Sequence, residues 1–554
     1  MTSPFCLLPQ YADRFMEKVK SGELTPDILT AMSSVERRAA FAEIAGDANA
    51  AHINASFESR LLLKNQQAGI TRWIESAKDV PKSVKRDLLS RVERMDKVLS
   101  PESQESFLAD LARQRLGFSV SMEEAGTITS LAKQVTEARQ ALEAGGDRMD
   151  YGRARVAFGN YVSALKNDVK QPLTVGKAIT DVAGFTKSIK ATFDNSALLR
   201  QGWKTLFSHP EIWAKNAKQS FVDIVQQFGG KAVLDEVNAE IVSRPNSLNG
   251  RYDKAKLAIG AVEDVFPSTL PEKVPGLRRV YKASEAAFLG FQYRTRADVF
   301  DKYIEIAERS GVVLREPGQL ESIGKLVNSL TARGHLGPVE PAANLTNVVF
   351  FSLRKLKSDV DFLTAHQFQK DVTPFVRKQA AVNLVKVVSG TAAILAVAHA
   401  VAPESVEFDP RSSDFGKIKD GNTRFDMTGG MASILTLAAR LATMSSKSTR
   451  TGKVNEINSG KFGATTGTDV VYNFFENKLS PAASIVKDLL EGQDFKGNKL
   501  TVAGEASNLL TPLTITNAIE LANDPKSANM FLAMLADALG ISANTYSGKK
   551  KPKH

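Results

Sequence analysis

The feature that most constrains the fold is a long apolar stretch, AAVNLVKVVSGTAAILAVAHAVA, which runs from Ala380 to Ala402 and has Lys386 as its only charged residue. From Val387 onward it would span roughly 24 Å as an α-helix, short of the ~30 Å hydrocarbon core of a bilayer. Small residues around Gly390 favour close helix contact over strong affinity for lipid. The stretch is therefore interpreted first as the buried central helix of a soluble bundle, and second as a membrane segment released only when the bundle opens. Its candidate membrane or core residues are Val387, Val388, Ile394, Leu395, Val397 and Val401.

The rest of the chain carries the start signals and periodicity of consecutive α-helices. Ser33 with Glu36, and Ser121 with Glu124, have the spacing of capping boxes, in which two otherwise unpaired backbone donors are satisfied. Residues Arg278 to Arg309 are predicted to form one long helix, dense in aromatic residues and arginines. The predicted fold class is all-α or predominantly α, built from multi-helix bundles.

One short segment differs from this helical pattern. Asp420 and Gly421 lie between short alternating segments, and such a pair predicts a β-hairpin, here near residues 414–426, because both central residues of a type I′ turn need positive φ. Five segments are predicted: an N-terminal helical domain (1–145), a central helical domain ending in the apolar helix (146–402), a β-hairpin connection (403–430), a C-terminal helical region (431–548) and a basic tail (549–554).

Charge and cysteine content narrow the class of protein. The 554 residues include 72 Lys and Arg against 61 Asp and Glu, a net charge of +11 that favours polyanionic partners such as nucleic acid or anionic lipid. The single cysteine, Cys6, permits no internal disulfide and suits a reducing compartment. The first residues have no basic segment followed by an apolar core, so no signal peptide is predicted.

Two basic groups are candidate nucleic-acid contacts. In the long aromatic helix, arginines interleaved with aromatic rings suit stacking and neutralisation of a single strand, although the same pattern suits helix packing better. In the tail, KKKPKH is typical of a solvated segment and also of a phosphate-contacting one. The candidates are Arg278, Arg279, Arg294, Arg296, Lys549, Lys550, Lys551 and Lys553.

Catalytic and metal-binding patterns are not found in the sequence. No two of the six histidines have the i, i+4 spacing of a metalloprotease helix, and a single cysteine makes a zinc site improbable. Ser163 with Lys166, and Ser484 with Lys487, match S-x-x-K without the motifs that accompany it in penicillin-binding enzymes. The sequence therefore predicts no catalytic residue, no metal and no cofactor, and it favours a non-enzymatic protein.

Several stretches together resemble the large polyvalent proteins of tailed bacteriophages and prophages. The stretches lie near both ends of the chain, and their order adds to the resemblance. They are MSSVERR (Met32 to Arg38), NASFESRLLLKNQ (Asn54 to Gln66), KLSP (Lys478 to Pro481), DLLEGQDFKG (Asp488 to Gly497) and LTP (Leu510 to Pro512). Members of this family often join such a helical region to a recognisable enzyme, and no such enzyme domain is attached to this chain.

The resemblance implies a non-enzymatic virion protein, carried with the genome and delivered alongside it, which contacts DNA, the host envelope or both. Its expected partners are other virion proteins, with DNA, the host membrane and a second copy of the chain as further ones. It would be found in the virion, and after delivery in the host cytoplasm or envelope. The alternative is a phage nucleic-acid-binding protein acting in the infected cell, and a third is an enzyme with an unfamiliar site.

Overall fold

The computed structural model describes residues 9–76, 82–95, 120–168, 197–259, 278–336, 352–460, 465–479, 536 and 539–545. The protein is mostly helical, at 69% helix, with small antiparallel sheets, which confirms the predicted fold class. It divides into two compact units, residues 1–140 with 157–170, and residues 141–156 with 171–554. The predicted boundaries at 145, 402 and 430 stay predictions.

The first unit contains two helices that begin with the predicted capping boxes. At the start of the helix Ser34–Ala45 the Ser33 amide donates to the Glu36 carboxylate at 2.8 Å, and the Glu36 amide donates to Ser33 Oγ at 3.3 Å. Ser121 and Glu124 form the same pair of bonds at the start of the helix Met122–Glu143. Phe41 is buried among the apolar residues of this unit. The helices are α1 (Pro9–Lys20), α2 (Pro26–Ala31), α3 (Ser34–Ala45), α4 (Asp47–Ser76) and α5 (Lys82–Glu93), with α6 (Met122–Glu143) and α7 (Arg148–Asp168) carrying the chain between units.

The second unit is organised around the predicted long helix, which the structure places at Arg278–Arg309. Its aromatic residues, including Phe288 and Tyr303, are buried, so the helix-packing interpretation is confirmed. A neighbouring helix packs along its length, and Gly290 makes room for the contact, because a Cβ there would lie 2.7 Å from Asp223 Oδ2. The helices are a π-helical turn (Ala197–Gln201), α8 (Trp203–Ser208), α9 (Pro210–Phe228), α10 (Val233–Val242), α11 (Pro245–Leu248), α12 (Arg251–Lys254), α13 (Arg278–Arg309), α14 (Gln319–Leu330), α15 (Leu353–Leu363), α16 (Pro374–Val401), a 3₁₀ turn (Pro403–Ser405), α17 (Ala432–Thr443) and α18 (Gly467–Glu476).

The predicted hairpin is present, with its turn one residue later than expected. Asp420 pairs with Thr423, so the two-residue loop is Gly421 and Asn422 rather than Asp420 and Gly421. Gly421 takes a φ of 55°, which favours glycine. The strands are β1 (Lys417–Asp420), β2 (Thr423–Asp426), β3 (Ser445–Lys447), β4 (Val454–Glu456) and β5 (Ala543–Thr545).

Strands β3, β4 and β5 lie in the region that the sequence predicts to be helical, so that prediction is wrong for these residues. The strands β3 and β4 form an antiparallel pair, and β5 adds to β2 in a sheet ordered β1-β2-β5. Each of them has three residues, which is too short for alternation of polar and apolar residues to be recognised.

Candidate functional site

Helix α16, Pro374–Val401, has one buried side and one exposed side. Five residues at helical spacing are buried against α8, α14 and α15, and they are Val376, Ala380, Asn383, Val387 and Leu395. The large apolar residues exposed on the rest of the helix are Val382, Val385, Val388, Val397 and Val401. An apolar surface of this kind, on one helix, is unusual for a soluble protein that has no partner there.

Hydrogen bonds hold the buried side of α16 to the rest of the unit. Asn383 Nδ2 donates to the hydroxyl of buried Tyr303 at 2.6 Å. Trp203 Nε1 donates to Thr391 Oγ1 at 3.0 Å, and a Cβ at the adjacent Gly390 would overlap the Phe207 ring. The contact with α8 therefore depends on the small residue at position 390.

The structure corrects the predicted burial of this helix. Val387 and Leu395 are buried and Ile394 is half-buried, as a core helix requires. The other three predicted residues, Val388, Val397 and Val401, are 55%, 65% and 83% exposed. The prediction of a buried central helix is thus wrong for most of its surface.

The exposure of α16 separates it from ordinary core helices. Within the described part of the chain it is the one helix long and apolar enough to cross a membrane. Of its most apolar 18 consecutive residues, 11% are buried. A core helix of the same composition would be mostly buried. At about 1.5 Å per residue its 28 residues extend roughly 42 Å, but the uncharged part after Lys386 extends only roughly 24 Å, so a helix that crossed the ~30 Å hydrocarbon core would place Lys386 near one interface.

Exposed aromatic residues lie beyond both ends of α16. Phe368 precedes the helix and is 85% exposed, and Phe408 follows it and is 51% exposed. The Phe408 ring packs edge-on against His399 with ring centroids 5.4 Å apart. The sequence gives little indication that these two residues are exposed, because an isolated phenylalanine between polar residues usually faces the core.

Of the four arginines predicted to contact nucleic acid, two have partners inside the protein and two are exposed. Arg296 is completely buried, with Nε donating to Thr331 Oγ1 at 2.9 Å. Arg294 is paired with buried Asp223 at 2.5 Å. For these two arginines the prediction is wrong, because their guanidinium groups bind partners inside the helix-packing layer. Arg278 and Arg279 are exposed at the start of α13, and the four tail lysines, Lys549, Lys550, Lys551 and Lys553, lie outside the described residues.

A buried polar cluster joins α8, α14 and α15. Lys204 Nζ donates to the Ser329 carbonyl at 2.7 Å and to Ser358 Oγ at 2.9 Å, and lies 2.9 Å from Asp359 Oδ1. Burial lowers the pKa of Lys204. Burial alone would raise the pKa of Asp359, but the charges of Lys204 and Lys355 hold it below its usual range. The cluster has the paired geometry of a structural ion-pair network.

A second buried pair has the atoms of a nucleophile and a base. Ser329 Oγ lies 3.0 Å from His366 Nε2, and His366 Nδ1 lies 3.2 Å from Gln369 Oε1. Both side chains of the Ser329–His366 pair are buried, so no substrate reaches them in this conformation. Among the residues that the structure describes, no group of three His, Cys, Asp or Glu side chains is placed to hold a metal ion.

No protein-family model, curated protein or solved structure matches the chain.

Proposed function

We propose that this protein contacts a lipid bilayer through the exposed side of α16, as a non-enzymatic bacteriophage protein carried in the virion and delivered with the genome. The observation that carries the proposal is the exposed apolar side of α16, which includes Val388, Val397 and Val401. Moving exposed valine and alanine side chains out of water is favourable, by roughly 25 cal/mol per Å² of apolar surface buried. A bilayer offers a partner for a surface of this length.

The charges around α16 suit a position at a membrane interface. Lys386 is the only charged residue after Lys378 within the helix, and its ammonium donates to the Ser208 carbonyl at 3.3 Å. A lysine of this kind keeps its charged end in the polar layer while its stem lies along apolar surface. The helix either lies in the interface or crosses the core after leaving α8, and in both arrangements its exposed valines contact lipid.

Binding to vesicles tests the membrane proposal. The double variant Val388→Asp, Val397→Asp places two charges on the exposed side, and we expect at least about a tenfold loss of co-flotation with vesicles, because a carboxylate is costly in the hydrocarbon region. The matched control is Val313→Asp, since Val313 is 54% exposed and lies outside α16. Circular dichroism should be unchanged in all variants.

Two results would contradict the proposal. One is a wild-type protein that does not co-float with any vesicle. The other is an equal loss of binding in the Val313→Asp control. Mass spectrometry of purified phage particles tests the delivery part separately, and absence of the polypeptide from particles would exclude that role.

Nucleic-acid binding in the infected cell is the second candidate function. Its support is the net charge of +11 and the exposure of Arg278, which lies with Lys231 on the rim of an open depression between α9, α10 and α13. The depression also contains carboxylates, including Asp235 and Glu285, which oppose a phosphate backbone. Affinity for DNA that falls steeply with salt would support this candidate, and binding that does not respond to salt would reject it.

A further inference from the structure

The loop between α15 and α16 is held in a strained conformation that exposes a phenylalanine. Ala365 and His366 have φ values of 46° and 57°, a left-handed region that residues other than glycine rarely adopt. His366 is buried and hydrogen-bonded to Ser329, which holds this turn in place. Two residues later, Phe368 is 85% exposed. Strain of this kind persists only where the surrounding contacts fix it, so the exposure of Phe368 is built into the loop.

The other end of the same loop is fixed as well. Asp371 forms an ion pair with Lys325 of α14. The Thr373 amide donates to Ser322 Oγ at 2.9 Å, and Arg377 Nη2 donates to the Gln369 carbonyl at 2.7 Å. The segment between these contacts therefore has a defined position at the start of α16.

Two exposed lysines lie after Phe368, Lys370 two residues later in the same loop and Lys378 in the second turn of α16. Lys370 and Lys378 are exposed, and neither has an ion pair with any other described residue. Lys378 occupies the same side of α16 as Val382 and Val385, which follow it by four and seven residues. The exposed apolar side of the helix thus begins with a positive charge that has no ion pair among the described residues.

The opposite end of α16 has no comparable excess of positive charge. Glu404 is exposed just after the helix, and Glu407 and Asp409 follow, both partnered by Lys447 or Arg411. A helix whose N-terminal end carries the excess of positive charge is expected to orient in a negative surface potential, because each lysine near an anionic leaflet is attracted to it.

We propose that Phe368, Lys370 and Lys378 form an anchoring patch that binds the surface of an anionic phospholipid bilayer, so that α16 meets the membrane with its N-terminal end first. This inference rests on the proposed function, and it adds the lipid class and the direction of approach. The lysines contact phosphate groups of the lipid, while the phenylalanine enters the boundary between headgroups and acyl chains.

The experiment compares two vesicle compositions, phosphatidylcholine alone and a mixture in which roughly a quarter of the lipid is phosphatidylglycerol. Wild-type full-length protein should prefer the anionic vesicles, and the preference should decrease as salt rises. The double variant Lys370→Gln, Lys378→Gln should lose roughly 25-fold of the affinity for anionic vesicles, at about fivefold for each lysine. Its affinity for the neutral vesicles should change little.

The matched control removes the same charge elsewhere. Lys254 and Lys453 are also exposed, and the double variant Lys254→Gln, Lys453→Gln should retain the anionic preference. A third variant, Phe368→Ala, should weaken binding to both vesicle types, because it removes apolar contact and no charge.

Each outcome separates the two proposals. Wild-type protein that binds both vesicle types equally overturns the anchoring patch and leaves the membrane function standing, whereas binding to neither overturns both. Retention of the anionic preference after the two lysines are replaced assigns it to other cations and overturns the patch. If a DNA oligonucleotide binds wild-type protein more tightly than the anionic vesicles do, and loses affinity in the lysine variant, the patch is a nucleic-acid contact instead.

Discussion

At the scale of single residues, His209 shows how burial changes the chemistry of a side chain. It lies at the junction of α8 and α9, with its ring edge-on to Tyr303 at 5.3 Å between centroids. Burial lowers its pKa from 6.5 to about 4. Glu211 opposes this shift, while the positive charges of Lys386 and Lys302 add to it. His209 is therefore neutral in the folded protein at neutral pH.

The lowered pKa of His209 predicts acid sensitivity. A base with a lower pKa in the folded state binds protons more tightly when unfolded, so its contribution to stability is complete above pH 6.5 and is lost as the pH falls towards 4. We expect protonation of His209 to account for a fall of about 3 kcal/mol in the free energy of unfolding across this interval, and His209→Gln to remove that part of the pH dependence. Urea unfolding at about pH 7 and about pH 4.5 measures it. An equal pH dependence in both proteins would contradict this prediction.

Residue identity alone did not reveal which arginines of α13 are exposed. Arg294 and Arg296 look like surface charges in a basic helix, and their partners come from distant parts of the chain. Asp223 of α9 forms an ion pair with Arg294, and Thr331, after α14, accepts a hydrogen bond from Arg296. The sequence predicted the aromatic packing of α13. It did not predict that these two arginines are bound inside the protein, because their partners meet them only in the folded state.

At the scale of elements, helix limits were predicted better than helix environment. The span of α13, the capping boxes of α3 and α6 and the apolar helix α16 follow from periodicity and capping, which are local properties. The exposed side of α16 depends on how many neighbours pack on it, and α8, α14 and α15 cover one side. The exposed side is rich in alanine, as a buried side would be, so composition alone predicted that the whole helix is buried.

The contact between α8 and α16 gives a prediction at this scale. Gly390→Ala places a methyl group against Phe207, and we expect it to lower the free energy of unfolding by about 1–3 kcal/mol through overpacking. The same substitution at Gly159, in the interior of α7, meets no atom within 4 Å. It should instead raise stability by roughly 0.5–1 kcal/mol, because alanine is a better helix former. Denaturant unfolding of both variants checks the pair, and equal effects would count against close packing at position 390.

At the scale of the whole molecule, residues near the C-terminus complete structure that begins far earlier in the chain. Strand β5 pairs with β2, and the Asp426 amide donates to the Ser542 carbonyl at 3.0 Å. The Leu199 amide, within the π-helical turn that precedes α8, donates to the Leu539 carbonyl at 3.0 Å. These contacts are non-local in sequence, which is why neither the three-stranded sheet nor this closure was predicted.

This closure predicts the effect of shortening the chain. A protein ending at residue 538 lacks β5 and leaves β2 paired only with β1, so the Asp426 amide should exchange with solvent about fivefold faster, since a lost backbone hydrogen bond is worth about 1 kcal/mol. A protein ending at residue 546 keeps the pairing of Thr423 with Thr545 and should exchange like the full chain. Hydrogen exchange followed by mass spectrometry resolves the peptide containing Asp426. Unchanged exchange in the shorter protein would mean that β2 is protected without β5, and the C-terminal residues would then be dispensable for this sheet.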